Sequence, residues 1–274
     1  MALSPIPQGE RYINFERITN ARHLNGMVGA EGRKVRDNCF IRCSTLSKAS
    51  DVDVDRIRLL YHVATVIDFR TDFERELAPD RKIRNVEFFE LPVSDENGKL
   101  WMQLIEYPGD PVDALVHFSK TEEGHRMARN FYQVTVADKG CQETYGRFFD
   151  LLLDRAGKGA FLWHCTHGKD RTGLATLFLL TALGVSEKDI MDDFSLTQAA
   201  MTKHINVVSK RLEEQNGTEE DLEVVLTLQG ANTRALQFAV DYVVQQYGGV
   251  MPFMEQTMGL TPDKVRSLRK LYLK

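Results

Sequence analysis

The chain has 274 residues, 43% hydrophobic and 27% charged, with a formal net charge of −4. That is enough apolar material for a sizeable core, and the acidic balance excludes nucleic acid or an anionic bilayer as a bulk electrostatic partner. No run approaches the roughly 20 apolar residues of a bilayer span.

In chain order, Met1 to Phe15 lack the basic start and apolar stretch of an export signal, so a cytoplasmic location is expected, signal-independent secretion aside. Short β-rich runs follow at Cys39–Arg42, Ala64–Phe69, Val86–Leu91 and Ala160–His164, separated by helix-like stretches. Their alternation predicts an α/β fold with a mostly parallel central sheet flanked by helices. Ser50 is the expected cap of a helix over Asp51–His62, with Val54, Ile57 and Tyr61 on one face. Residues 96–130, with Trp101, Met102, Leu104, Ile105 and Tyr107 before a charged stretch, read as a lid or as a packed surface excursion. A second helix over Glu143–Arg155 carries Tyr145, Phe148, Phe149 and Leu152 at helical spacing, and Gly157 ends it. From about residue 186 the chain reads as helical to its end. Ser186 with Asp189 and Thr218 with Asp221 form capping boxes, Thr261 is a cap before Pro262, and Gly217, Gly248 and Gly259 are stops. Residues 1–274 are expected to form a single domain, the part from about 186 being a helical extension packed on the α/β core.

Four cysteines, Cys39, Cys43, Cys141 and Cys165, are too few and too irregular for a disulfide scaffold, and no Cys/His spacing fits zinc. Neither metal nor cofactor is expected.

The residues with the clearest chemistry are His164-Cys165-Thr166-His167-Gly168-Lys169-Asp170-Arg171-Thr172-Gly173. Phe161 to Trp163 end a buried strand, and Leu174 to Leu183 are apolar enough for a core helix, so this loop opens a helix. Unpaired N–H groups at a helix start, with the helix dipole, make an anion site, and a cysteine at its base gives up its proton readily. Cys165 is therefore expected to be a thiolate nucleophile. Arg171 offers a planar fork for two phosphoryl oxygens, and Gly168 and Gly173 let the backbone approach the ligand. Thr166, His167, Gly168 and Lys169 are expected to line the bound phosphate, and Thr172 to hydrogen-bond the sulfur. His164 is expected to orient the loop. Lys169 suits a substrate with more than one phosphate, or is a solvated lysine. A nucleotide-binding Gly-x4-Gly-Lys loop fails, because Trp163 stands where its first glycine belongs.

The loop resembles the C-x5-R signature of cysteine-dependent phosphatases, and its HCxxGKDRTG form is similar to bacterial tyrosine phosphatases that also act on phosphoinositides. Asn14-Phe15, Arg42 with Ser44 and Leu46, Asp68-Phe69-Arg70 with Glu74, and Leu91-Pro92-Val93-Ser94-Asp95 are similar to further motifs of that family, as are Tyr247-Gly248, Leu260-Thr261 and Leu268-Arg269. Asn14 to Asn20 depart from its NFRDLGG start, and His167 replaces a residue that is usually small. The resemblance implies the cysteine-phosphatase fold and hydrolysis of phosphate monoesters through a cysteinyl-phosphate. Protein phosphotyrosine, a phosphoinositide or an inositol phosphate would be the substrate. It favours Asp95 as general acid, with Asp170 the rival inside the loop. Arg70 and Glu74 are expected to pair in support of the loop, with Asp68 in a similar role. A phosphate-binding module is a minor alternative, as is an arsenate reductase, with Cys141 or Cys43 as resolving thiol. The oligomeric state is left open.

Overall fold

A computed structural model describes residues 11–93 and 107–274. Its sheet is formed by β1 (Arg22–His23), β2 (Phe40–Cys43), β3 (Val63–Asp68), β4 (Glu87–Glu90) and β5 (Ala160–His164), in the order β1-β2-β5-β3-β4. Only β1 against β2 is antiparallel; β2–β5, β5–β3 and β3–β4 are parallel. The α/β class with a mostly parallel sheet is thus as the sequence predicts. β5 has the expected bounds and the other predicted strands shift by a residue or two, while β1 is too short to leave a pattern. Both sheet faces are covered, which is why β5 is a continuous apolar run. Phe161 and Trp163 join Phe40, Ile67 and Phe148 on one face, and Leu162 joins Ile41, Ile57 and Val66 on the other.

The helix expected over 51–62 is divided. α1 (Asp51–Asp55), closed by a reciprocal Ser50–Asp53 capping box, runs into a π-helical turn, Arg56–Leu60. The wider turn keeps Ile57 fully buried while Leu59 and Leu60 face solvent, and His62 at φ 49 ends the segment. α2 (Asp72–Leu77) is capped by Thr71 and Glu74. α3 (Pro111–Ser119) and α4 (Glu122–Ala137) precede α5 (Lys139–Asp154), which begins four residues before the expected Glu143 because the Asp138 side chain accepts from Cys141 N. α6 (Asp170–Ala182) is almost wholly buried.

Then come α7 (Glu187–Ser195), α8 (Thr197–Glu214), α9 (Glu219–Gln229), α10 (Thr233–Tyr247), α11 (Val250–Met258) and α12 (Pro262–Tyr272). Ser186, Thr218 and Thr261 cap α7, α9 and α12. Gly248 and Gly259 end α10 and α11 in left-handed conformations, whereas near Gly217 that role falls to Asn216 at φ 56. Val208, Val225, Phe253 and Leu268 share one buried cluster with Trp163 and Phe178, so these helices cover apolar surface of the α/β layers. No described helix is long and apolar enough to cross a membrane. The parallel strands end together on one edge, and there β5 passes through residues 165–169 into α6.

Candidate active site

Cys165, 3% exposed, immediately follows β5. Gly168 adopts φ 63, and a Cβ there would lie 2.2 Å from the Cys43 carbonyl oxygen, so the loop turns hard against β2. Arg171 stands in the first turn of α6. Its Nη1 and Nη2 donate to Glu74 Oε2 and Oε1, each at 2.6 Å, a fork laid on a carboxylate. Glu74 also accepts from the Thr166 hydroxyl, so one side chain of α2 holds both ends of the loop. Burial disfavours the Glu74 anion, but the hydrogen bonds and charge of Arg171 outweigh it and hold the carboxyl well below its ordinary range. The expected Arg70–Glu74 pair is not formed. Arg70 Nη2 instead lies 2.7 Å from Asp68 Oδ2 and 2.9 Å from Asp80 Oδ2, because Arg70 turns inward beneath the loop.

A second set of buried charges holds the loop's backbone. Arg42 Nη2 donates to Gly168 O at 2.9 Å, and its Nη1 to Asp193 Oδ2 at 2.9 Å. Asn20 Nδ2 donates to the His167 and Gly168 carbonyls, and Arg22 bonds both Asn20 Oδ1 and Asp193. Burial and the Arg22 charge push the Arg42 guanidinium down to about 9, still cationic at neutral pH. Burial opposes ionisation of Asp193, but Arg22, Arg42 and Arg11 overcome it and keep the carboxyl well below its usual range. Sequence reasoning singled out Arg42 through its motif and missed Asp193, Arg22 and Asn20. The available signal was an aspartate on the apolar face of a helix, between Ile190 and Phe194.

Lys169, 2% exposed, sends its ammonium to the carbonyls of Thr227 at 3.0 Å and Leu228 at 2.8 Å, in the last turn of α9. The helix dipole favours a cation there. Its Nζ is also 3.4 Å from Asp170 Oδ1, and the same oxygen accepts from the buried Tyr132 hydroxyl at 2.5 Å. Burial and the Asp170 charge push the Tyr132 phenol well above its ordinary value, so it remains a neutral donor. The Thr172 hydroxyl is buried with no hydrogen-bond partner among the described residues. His167 is half-buried, and burial with the Lys169 charge pushes its imidazole down to about 4, leaving it neutral at pH 7. Asp95 lies outside the described residues.

Beside Cys165, His164 Nδ1 is 3.1 Å from the Cys165 carbonyl and Nε2 is 2.9 Å from Asp80 Oδ2. Burial lowers the His164 affinity for a proton, but Asp68 and Asp80 reverse this and raise it above the usual value. Asp68, Asp80 and His164 are also close enough to hold a metal ion, their ligand atoms lying within 4.8 Å of one another. The Arg70 guanidinium, however, already supplies the positive charge between the two carboxylates.

The profile of the tyrosine phosphatase family matches residues 13–274. A Cupriavidus necator protein provisionally named a tyrosine-protein phosphatase is 30% identical over 195 residues, which cover 68% of this chain and 63% of that protein. A Nostoc commune tyrosine-protein phosphatase is 27% identical over 163 residues, 58% of this chain and 48% of that protein. The matched segments therefore span less than two thirds of either relative. Among solved structures, P. aeruginosa TpbA aligns with a TM-score of 0.34 at 12% identity, covering 71% of this chain and 89% of its own. Because the family's pattern runs from Ile13 to Lys274 and takes in every segment that meets at Cys165, the chain belongs to the tyrosine phosphatase family.

Proposed function

We propose that the chain hydrolyses phosphate monoesters through a cysteinyl-phosphate on Cys165. The observation that carries this is the loop itself, with Cys165 at the end of β5 and Arg171 fixed by the Glu74 fork one helical turn beyond the glycine-bent backbone. Cys165 Sγ attacks phosphorus, the bond to the ester oxygen breaks, and water then releases phosphate from sulfur. Arg171 and the loop amides hold the equatorial oxygens, where most of the catalytic stabilisation in phosphoryl transfer arises. The Thr172 hydroxyl, without a hydrogen-bond partner among the described residues, is a donor available to the departing sulfur.

Protein phosphotyrosine is the substrate class favoured over phosphoinositides and inositol phosphates. Attraction for a second phosphate was expected of Lys169, and its ammonium is engaged instead by the Thr227 and Leu228 carbonyls. For arsenate reduction, Cys43 is a poor resolving nucleophile, because burial, with the nearby Asp80 charge, pushes its thiol well above the usual value.

Replacing Cys165 with serine is expected to abolish turnover of p-nitrophenyl phosphate, and acid quenching of the wild-type enzyme during turnover should trap phosphate on Cys165. Wild-type rates in Cys165→Ser would overturn the covalent route. On parallel substrates, kcat/KM for a phosphotyrosine peptide should exceed that for any phosphoinositide by about 10-fold or more.

A further inference from the structure

The geometry points to Tyr132 as a positioning residue that turns Asp170 into the proton donor for the leaving group, an inference that rests on the cysteinyl-phosphate chemistry above. Asp170 is the first residue of α6, beside Arg171, with its side chain 16% exposed. Two donors converge on its Oδ1. The Tyr132 hydroxyl comes from α4 at 2.5 Å, and Lys169 Nζ lies at 3.4 Å. Oδ2 has no hydrogen-bond partner among the described residues. A hydroxyl that donates to Oδ1 obliges that oxygen to accept, so the proton of the acid form resides on Oδ2.

Tyr132 suits this task because little in its surroundings lets it do anything else. It is 1% exposed, packed edge-to-face on Phe131 and Phe194, and its phenol stays protonated. It therefore donates to Asp170 at any pH at which the enzyme works. The charged and titratable groups around this pair come from several elements: Cys165 and Arg42 act on Tyr132 beside Asp170, and Lys169, Arg171 and His204 act with Asp170 on His167. Lys169 is itself held by α9, so two helices remote in sequence fix one carboxylate.

The step balances as follows. Cys165 Sγ forms the bond to phosphorus, and the phosphorus–oxygen bond to the leaving group breaks with its electron pair going to oxygen. That oxygen takes the proton from Asp170 Oδ2, giving the free alcohol or phenol, an Asp170 carboxylate and the cysteinyl-phosphate. The Asp170 carboxylate then accepts a proton from the water that attacks phosphorus, the sulfur–phosphorus bond breaks, and thiolate and phosphate are restored.

Tyr132→Phe retains the ring and its packing and removes only the donor. Rates should be measured on two aryl phosphates, one with a poor leaving group such as phenol and one with an activated leaving group such as 4-nitrophenol. The loss in kcat on the phenyl ester is expected to exceed that on the nitrophenyl ester at least 10-fold. The falling alkaline limb of the phenyl ester's pH profile should also move or flatten. In Asp170→Asn the same discrimination should appear, and the double variant should be no slower than Asp170→Asn alone. Equal losses on both esters, or multiplicative losses in the double variant, would reduce Tyr132 to a packing residue. If Tyr132→Phe does not fold, Asp170→Asn still decides: a leaving-group dependence like that of the wild type overturns the assignment. Either failure leaves the inactivity of Cys165→Ser untouched, so the assignment of Tyr132 and the covalent route fail separately.

Discussion

At the residue scale, the geometry of Arg171 would tie the proposed phosphate recognition to a planar cation. Its guanidinium lies on both oxygens of Glu74, at 2.6 Å each, and its plane is set before any substrate arrives. An ammonium can satisfy one oxygen well but cannot span a carboxylate and a phosphoryl group with fixed parallel donors. Arg171→Lys is therefore expected to lower kcat/KM by about 100-fold or more, and to weaken vanadate inhibition in parallel, because the lost interaction is with the equatorial oxygens. A variant within a few-fold of the wild type in both measurements would show that charge alone suffices.

At the element scale, the loop's shape depends on the strand beside it. Gly168 combines a left-handed φ of 63 with a backbone contact, since a Cβ would meet the Cys43 carbonyl oxygen at 2.2 Å and β2 is paired on both sides. Gly157 has a similar φ of 80 with nothing within 4 Å of its Cβ position. Alanine at 157 should cost about 1 kcal/mol, the strain of the conformation alone, whereas at 168 it should cost at least about 3 kcal/mol and displace the loop. Urea unfolding of both variants tests this; equal losses would mean that β2 yields freely. The loop was legible in the sequence because its parts, from His164 to Gly173, are local and each has one strong physical reason to be there. The clamps around it were not. Glu74 could pair with Arg70 or with Arg171, 97 positions away, and only the inward turn of Arg70 toward Asp68 and Asp80 decides. Tyr132 carried no signal of its own, since nothing within α4 marks a partner 38 positions on. Helix starts were found at the Ser50, Ser186, Thr218 and Thr261 caps, whereas the Thr71–Glu74 capping box was passed over and the start at Asp138, which caps without a reciprocal partner, was placed four residues late.

At the scale of the whole molecule, the buried charges make stability depend on pH with a sign that can be worked out. Burial and the Lys169 charge push the His167 imidazole from 6.5 down to about 4. Between those values the unfolded chain holds a proton at this site that the folded chain does not, so stability falls as pH drops through that window. A shift of this size corresponds to an upper limit of about 3 kcal/mol, and partial exposure reduces the expectation to on the order of 1–2 kcal/mol. His23, lowered by burial and Arg11, adds a slope of the same sign. His164 acts oppositely: Asp68 and Asp80 raise it despite burial, so its contribution is complete at low pH and is lost as pH rises through its folded value. Glu74 and Asp193 contribute above the ordinary carboxylate range and lose that contribution only as pH falls through their depressed values, below the His167 window. Urea unfolding between pH 6.5 and 4.5 should therefore show a declining free energy with a constant m-value. His167→Asn should remove about 1 kcal/mol or more of that decline while leaving the steeper acid transition in place. The same slope in both proteins would mean that the folded loop admits the proton despite the Lys169 charge.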